Sequence, residues 1–208
     1  MPSSAVARGR FIVFEGGEGS GKSTQAELLA ARLDAVLTRE PGGTELGAQI
    51  RSILLASSDN GLADRAEALL MAADRAQHVE EFIEPALLAG RDVVCDRYIG
   101  SSVAYQGYGR GLDADMVRAI SGWAAAGLWP DLTILLTVPE QVSLERTGGA
   151  RDRIEAAGAE FHRRVAEGFL AQAEDEPEYW IQVDGTGSTQ EVEQRVLAAV
   201  AEMLGEPE

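Results

Sequence analysis

The chain has 208 residues, of which 45% are hydrophobic and 25% are charged, and this composition excludes a disordered or disulfide-stapled protein. Its 18 basic and 34 acidic side chains give a formal net charge of -16, which disfavours binding to nucleic acid or to an anionic membrane. The lone Cys95 and the lack of an apolar signal segment or membrane-spanning run favour a cytoplasmic protein. We expect one domain over residues 1–208, with a loose tail over residues 1–9.

Short apolar runs alternate along the chain with longer stretches of helical periodicity. This alternation predicts an α/β fold in which helices connect parallel strands. The predicted strands are Phe11–Phe14, Ala35–Thr38, Val93–Cys95, Leu132–Val138 and Trp180–Val183. Helices are predicted after the first strand, around Leu46–Leu54, and over residues 64–85, 113–126, 152–173 and 192–204, with a further one from Pro139. Asp152-Arg-Ile-Glu155 has the spacing of a capping box at the start of its helix.

A glycine-rich segment after the first strand carries the strongest chemical signal. Gly16-Gly-Glu-Gly-Ser-Gly-Lys-Ser23 matches the pattern G-x-x-x-x-G-K-[ST] between a predicted strand and a predicted helix. Backbone N–H groups and the helix N-terminus can hold phosphate there, with Lys22 reaching the β- and γ-phosphates and Ser23 binding Mg²⁺. The predicted ATP-binding residues are Gly16, Gly17, Glu18, Gly19, Ser20, Gly21, Lys22, Ser23 and Thr24.

Several arginines at predicted strand ends or helix faces suggest a second phosphate-bearing substrate, because guanidinium groups bind phosphate through two parallel hydrogen bonds. Arg97 follows a strand end, where open parallel sheets bind ligands. Taken singly, each arginine could equally be solvated or salt-bridged. A GTP-binding switch is disfavoured, since the only asparagine, Asn60, precedes Gly61 and cannot form Asn-Lys-x-Asp. The arginines concerned are Arg39, Arg75, Arg97, Arg146, Arg151 and Arg153.

Further motifs follow the phosphate-binding segment in a family-specific order, between about Arg10 and Asp184. They are Thr38-Arg-Glu-Pro-Gly-Gly-Thr44, Ala73-Asp-Arg75, Asp96-Arg-Tyr98, Ser101-Ser-Val-Ala-Tyr-Gln106 with Gly109-Arg-Gly111, Pro130-Asp-Leu132 and Asp152-Arg-Ile-Glu155. Together they resemble the bacterial thymidylate kinases. The resemblance implies a P-loop kinase fold with a five-stranded parallel sheet, a homodimer, and Mg²⁺-dependent transfer of phosphate from ATP to thymidine monophosphate (dTMP).

The resemblance also implies roles for the acceptor-side residues. It assigns Arg75 and Gln106 to the thymine base, and Arg97 to the acceptor phosphate with Arg39 nearby. Tyr105 would pack against the deoxyribose, and Met71 stands where the family usually has a phenylalanine that stacks on thymine. The implied substrate-binding residues are Glu18, Arg39, Met71, Arg75, Arg97, Ser102, Tyr105 and Gln106, and the metal-site residues are Ser23, Asp96 and Glu18.

The P-loop has Gly19 where eukaryotic-type enzymes carry an arginine, so the resemblance implies catalytic arginines on a short lid, at about residues 146–153. The implied catalytic residues are Lys22, Arg97, Arg146, Arg151 and Arg153. Two other functions remain open: a P-loop kinase for another small acceptor, and a non-catalytic ATP-binding regulator. Core packing could also explain Tyr98, Tyr105 and Tyr108, and a helix cap could explain Asp152 and Glu155. We assign no function to His78 or His162.

Overall fold

Five parallel strands form one sheet in the computed structural model, which describes residues 7–56, 61–147 and 157–205. The strands are β1 (Phe11–Glu15), β2 (Val36–Arg39), β3 (Val93–Asp96), β4 (Leu132–Thr137) and β5 (Trp180–Asp184), arranged in the order β2-β3-β1-β4-β5. Strand β1 therefore lies at the centre, and every residue in it is buried. Burial on both faces explains why its sequence is a continuous apolar run. The predicted α/β fold with a five-stranded parallel sheet is confirmed.

Helices cover both faces of the sheet. Their bounds are α1 (Lys22–Leu33), α2 (Glu45–Leu55), α3 (Asp64–His78), α4 (Glu84–Leu88), α5 (Ile99–Ser102), α6 (Ala114–Ala124), α7 (Glu140–Arg146), α8 (Ala159–Asp175) and α9 (Thr189–Leu204). A π-helical turn, Val79–Ile83, joins α3 to α4, so the helix predicted over residues 64–85 is present. Within the described ranges, no helix is both long and apolar enough to cross a bilayer.

Alternate residues of β1 pack into two separate apolar layers. Ile12 and Phe14 contribute to a layer with α1 and α9, whereas Phe11 and Val13 contribute to a layer with α4 and α6. The second layer contains Cys95, which is fully buried as the sequence predicted. Because side chains alternate along a strand, β1 packs against helices on both faces of the sheet. This packing fixes the position of the carboxyl end of β1.

A helical segment after β3 was not predicted from the sequence. Helix α5 continues as a π-helical segment, Val103–Gly109, and the whole stretch packs against α6 and α8. Glycine, serine and β-branched residues give this stretch low helix propensity. Burial against the neighbouring helices overrides that propensity, so periodicity and local preference alone could not reveal it.

The predicted start of the helix before β5 is wrong. Helix α8 begins at Ala159, after Gly158, whose φ of 94° lies in the left-handed region that favours glycine. The capping-box pattern at Asp152 to Glu155 therefore does not mark its N-terminus, and those residues lie outside the part of the chain that the structure describes. A capping pattern identifies a start only when the residues after it remain helical.

Candidate active site

One cleft lies at the carboxyl ends of β1, β2 and β3, beside the phosphate-binding segment. Its volume is about 190 Å³. Nine of the predicted site residues line it: Glu18, Lys22, Ser23, Arg39, Met71, Asp96, Arg97, Tyr105 and Gln106. Arg75 and Ser102 are buried, at 0% and 1% exposure. Arg151 and Arg153 lie outside the described residues.

The loop between β1 and α1 needs glycine at two positions for steric reasons. Gly16 has φ 144°, and a Cβ there would lie 2.4 Å from the carbonyl oxygen of Leu136. Gly19 has φ 68°, and a Cβ there would lie 2.7 Å from the carbonyl oxygen of Ser143. These close approaches hold the loop against the end of β4 and the middle of α7. The loop therefore presents a fixed backbone at the N-terminus of α1, where N–H groups and the helix dipole favour an anion.

Lys22 is the first residue of α1 and is buried, at 5% exposure. Its ammonium donates to the carbonyl oxygen of Gly17 at 3.0 Å. Burial and the positive charge of Arg97 lower the pKa of Lys22 to about 8, against the opposing effect of Glu18 and Asp96. A buried ammonium with a lowered pKa gains from a nearby phosphate, because the phosphate charge replaces lost hydration.

Glu18, Arg97 and Tyr105 form a connected group at the edge of the P-loop. Arg97 Nη2 and the Tyr105 hydroxyl both donate to Glu18 Oε1, the latter at 3.2 Å. The guanidinium carbon of Arg97 lies 5.0 Å from the centre of the Tyr105 ring. Burial raises the pKa of Glu18, but Arg97 and Lys22 outweigh it and lower the value to about 2. Glu18 is therefore ionised across the neutral range and holds Arg97 in the cleft.

Arg97 has a backbone conformation that is uncommon for a residue with a side chain. Its φ is 73°, and its N–H donates to the carbonyl oxygen of Phe14 at 2.9 Å. Its Nη1 donates to the carbonyl oxygen of Gly16 and to Ser101 Oγ, both at 3.1 Å. A non-glycine residue in this region persists only where its surroundings hold it. Such strain commonly accompanies functional sites.

Glu15 supplies that support, and its role was not predicted from the sequence. Its buried carboxylate accepts hydrogen bonds from Tyr98 N, Ser101 N and Ser101 Oγ at 3.0, 2.8 and 2.6 Å. Burial raises the pKa of Glu15 above its ordinary value, although these hydrogen bonds and Arg97 oppose the rise. The carboxylate fixes the start of α5 and so places Ser101 beside Arg97. A charged residue ending an otherwise apolar strand was the available sequence signal.

The Ser23 hydroxyl, in the first turn of α1, lies beside the Asp96 carboxylate at the end of β3. Ser23 Oγ donates to Asp96 Oδ2 at 2.5 Å, while Asp96 Oδ1 is buried and has no hydrogen-bond partner among the described residues. These hard oxygen ligands fit Mg²⁺, which enzymes acting on nucleotides hold through one or two carboxylates, substrate phosphates and water. The described residues contain no cluster of three or more metal-ligating His, Cys, Asp or Glu side chains. The Ser23 hydroxyl and the Asp96 carboxylate suit a metal that also binds phosphates and water.

Arg75 lies behind the acceptor side of the cleft in a network of buried polar groups. Its Nε donates to Glu40 Oε2 at 2.9 Å, and its Nη2 donates to Tyr98 O and Ser102 Oγ at 3.0 and 3.1 Å. His78 Nδ1 lies 3.0 Å from the other Glu40 oxygen. Arg75 Nη1 is buried and has no hydrogen-bond partner in the described part of the chain. This nitrogen is a donor left over by the protein's own network.

Gln106 and Met71 line the cleft on the same side as Arg75. We call these three residues the acceptor wall. Gln106 Nε2 donates to Glu67 Oε1 at 2.8 Å, and Gln106 Oε1 is buried without a hydrogen-bond partner in the described ranges. Met71 is 6% exposed, lines the cleft and packs with Ile50 and Leu54. Met71 is thus a core residue of its helix and also a wall of the cleft.

Arg146 is the one lid arginine from the sequence analysis that lies within the described residues. It ends α7, and its Nη1 donates to Gly19 O and Gly185 O at 3.2 and 3.1 Å. These contacts place the guanidinium against the P-loop. Its position suits a donor-side phosphate, whereas its predicted catalytic role remains a prediction.

Asp74, on the acceptor side, makes the unfolding free energy of the protein depend on pH. Its Oδ1 accepts from Gly42 N at 2.9 Å, and burial together with the charge of Glu40 raises its pKa to about 6. Because the folded protein binds this proton more tightly than the unfolded chain, Asp74 contributes stability below about pH 4 that is lost as the pH rises through about 6. We expect Asp74→Asn to remove this decrease in unfolding free energy, as measured by urea denaturation at several pH values. An unchanged slope between about pH 4 and about pH 6 would contradict the assignment.

The cleft is lined by Glu18, Lys22 and Ser23 of the P-loop on one side and by Arg97 at the end of β3, so a donor triphosphate and an acceptor would meet there. This arrangement defines a P-loop kinase, in which positioning and charge stabilisation drive phosphoryl transfer. A model of the thymidylate kinase family matches residues 14–196. The chain belongs to the thymidylate kinase family.

Individual relatives are similar over nearly the whole chain. A thymidylate kinase of Halothermothrix orenii is 48% identical over 203 residues, covering 93% of this chain and 97% of its own. One of Leifsonia xyli subsp. xyli is 53% identical over 192 residues, covering 88% and 90%. A crystal structure of thymidylate kinase from Ehrlichia chaffeensis superposes with a TM-score of 0.78 at 32% identity, covering 93% of this chain and 99% of that one.

Proposed function

We propose that this protein transfers the γ-phosphate of ATP to dTMP, giving thymidine diphosphate and ADP. The observation that carries the proposal is the cleft shared by Lys22 of the P-loop, Arg97 at the end of β3 and Gln106 on the acceptor wall. Membership of the thymidylate kinase family supports the same reaction. The transferred phosphate would lie between a donor loop and an acceptor cleft that are adjacent in the fold.

Three cations supply the charge that phosphoryl transfer requires. In this proposal Lys22 binds the β- and γ-phosphates, Arg97 holds the acceptor phosphate opposite, and Arg146 lies at the donor side. Preorganised cations of this kind stabilise charge that develops in the transition state without reorganising at that moment. Arg39 lines the same cleft and would bind the acceptor phosphate. Arg151 and Arg153 keep their predicted lid role.

Mg²⁺ is the metal we propose, held by Ser23 Oγ and the Asp96 carboxylate. When bound, it would neutralise phosphate charge and orient the triphosphate. The unsatisfied Oδ1 of Asp96 supports this placement. Glu18 keeps its predicted place near the metal, and its carboxylate also pairs with Arg97 and Tyr105.

Two of the buried polar atoms without a partner in the described ranges, both on the acceptor side, match one edge of thymine. Thymine presents a carbonyl acceptor at O4 and an N–H donor at N3. Arg75 Nη1 is a buried donor and Gln106 Oε1 a buried acceptor, each lacking a partner among the described residues. Unpaired buried polar groups are costly, at about 1–3 kcal/mol each, so a base that pairs both relieves that cost. We assign thymine recognition to this pair, with Met71 against the ring.

Tyr105 is the residue we propose for selecting deoxyribose. Its ring is buried beside Phe161 and Phe169, and its hydroxyl bonds Glu18, so it has little freedom to move away from a larger sugar. We expect wild-type enzyme to prefer dUMP over UMP in kcat/KM, and Tyr105→Ala to reduce that preference by at least about tenfold. Tyr105→Phe keeps the ring and is the matched control. Equal kcat/KM for the two nucleotides in wild type would rule out the steric role.

A homodimer is the assembly we propose. Helices α2, α3 and α6 pack side by side and carry large apolar side chains that remain exposed. Burying such a group against a second copy is favourable, whereas leaving it in water is not. The side chains concerned are Leu46, Ile53, Leu69, Met116 and Trp123.

We also propose that the protein is cytoplasmic and that residues 1–208 form a single domain.

A panel of nucleoside monophosphates with ATP tests the reaction directly. ADP release should be fastest with dTMP, and phosphorylated dTMP should be recovered as the diphosphate. A protein active only with a different monophosphate would be a kinase for another acceptor. ATP binding without phosphoryl transfer, unaffected by substitution of Arg75 or Arg97, would favour the non-catalytic regulator.

A further inference from the structure

We infer that Glu67 is a specificity-determining residue that orients the Gln106 amide and thereby selects bases with an N3–H group. The inference rests on the proposed function, since it concerns how the acceptor base is read. Glu67 does not line the cleft, so it acts through Gln106 and is a positioning residue.

Glu67 is inaccessible to solvent and connects α3 to the helical segment that carries Gln106. It is on α3 with 0% exposure, and Gln106 lies on the π-helical segment Val103–Gly109 with 1% exposure. Gln106 Nε2 donates to Glu67 Oε1 at 2.8 Å. Arg110 donates to both Glu67 oxygens, with Nη2 3.1 Å from Oε2 and Nε 3.3 Å from Oε1.

The guanidinium neutralises the buried carboxylate and leaves it only able to accept hydrogen bonds. Arg110 is itself held in place, because its guanidinium carbon lies 4.6 Å from the centre of the Phe161 ring. A carboxylate fixed in this way determines which end of the facing amide it can bind. Turning the Gln106 amide by 180° would bring two oxygens together with no proton between them. The amide nitrogen must therefore face Glu67.

The fixed nitrogen leaves the amide oxygen on the other side. Gln106 Oε1 has no hydrogen-bond partner among the described residues, while the Gln106 side chain lines the cleft. A base placed there must supply a proton. Thymine and uracil supply one at N3, whereas N3 of cytosine is an acceptor and would meet the oxygen with repulsion. The 5-methyl group plays no part in this selection.

Glu67→Gln tests the inference because it changes the acceptor into an amide of nearly the same shape. The new amide can donate to Gln106 Oε1, which frees Gln106 to turn its own nitrogen toward the cleft. We expect the ratio of kcat/KM for dTMP to that for dCMP to fall at least about tenfold, equivalent to ~1.4 kcal/mol. The ratio for dTMP to dUMP should not change.

Two further variants separate orientation from folding. Glu67→Asp keeps the charge but withdraws the acceptor from Gln106 by one methylene, so it should also lower the dTMP to dCMP ratio. Gln106→Leu removes the amide, and in that background Glu67→Gln should leave the ratio unchanged. Glu176→Gln is the matched control, since Glu176 pairs with Arg118 away from the cleft and its loss should not alter the ratio.

The outcomes distinguish this inference from the proposed function. Wild type that does not phosphorylate dTMP would overturn both. Active wild type with an unchanged ratio in Glu67→Asp, or in a folded Glu67→Gln, would overturn only the role of Glu67, as would equal losses for both nucleotides. Melting temperatures of every variant identify those that fold. If Glu67→Gln does not fold, the result with Glu67→Asp decides.

Discussion

Replacing Lys22 with alanine is expected to lower kcat by about two to three orders of magnitude, the loss typical of removing one preorganised donor from a transition state. Phosphoryl transfer offers a protein little covalent chemistry, so its catalysis depends on charges held in position. Lys22 is buried at the start of α1 and is the only lysine in the chain. No other lysine can therefore replace it.

Steady-state kinetics with ATP and dTMP measure this effect, and the melting temperature without nucleotide provides a check on folding. Removing a buried ammonium whose pKa is already lowered should not reduce stability. Arg163→Ala is the control, because it removes an exposed cation that pairs with Glu160 and Glu167 on the surface of α8. A kcat within about tenfold of wild type, equivalent to ~1.4 kcal/mol, would contradict the role of Lys22.

Neutralising Glu40 is expected to cost about 3–5 kcal/mol of unfolding free energy, because it leaves the buried charge of Arg75 without its partner. The two side chains are 1% and 0% exposed, with Arg75 Nη2 2.8 Å from Glu40 Oε2. Water cannot replace the carboxylate at this depth. For a chain of this size the loss corresponds to a melting temperature lower by roughly 6–20 °C.

Glu40→Gln, compared with wild type by urea denaturation, measures this cost. The control is Glu160→Gln, which breaks exposed ion pairs with Arg163 and Arg164 that water screens, so its effect on stability should be small. The Michaelis constant for dTMP should also rise in any Glu40→Gln protein that folds, since Arg75 would lose its fixed position. A loss of stability no larger than that of the control would refute the structural role of this ion pair.

The sequence predicts the parts of the site that are encoded by neighbouring residues. The P-loop lies within eight consecutive positions, and its strand-loop-helix context follows from local periodicity. Glu40 and Glu67 escaped prediction because each contact joins residues 35 to 39 positions apart in sequence. No local pattern encodes such a pair. Arg51 also lines the cleft and donates to Pro41 O at 2.9 Å, yet it has no distinctive sequence signal.

Tertiary packing accounts for the other differences. The stretch from Ile99 to Gly109 is helical despite its glycines, because α6 and α8 bury it. The role of Glu15 likewise depends on a turn that folds back more than eighty residues later in the chain. Where local preference and burial agree, as in β1 and α1, the predicted elements are correct. Where they conflict, burial determines the structure.

The placement of Lys22 restricts amine chemistry on this protein to one interior position besides the chain's α-amino group. An ε-amino group with a pKa of about 8 has a large neutral, nucleophilic fraction in mildly alkaline solution. Acylating or reductively alkylating reagents should therefore label Lys22, beside the P-loop glycines, without competition from surface lysines. A nucleotide bound over Lys22 would shield it, so the extent of labelling would report how much of the donor site is filled.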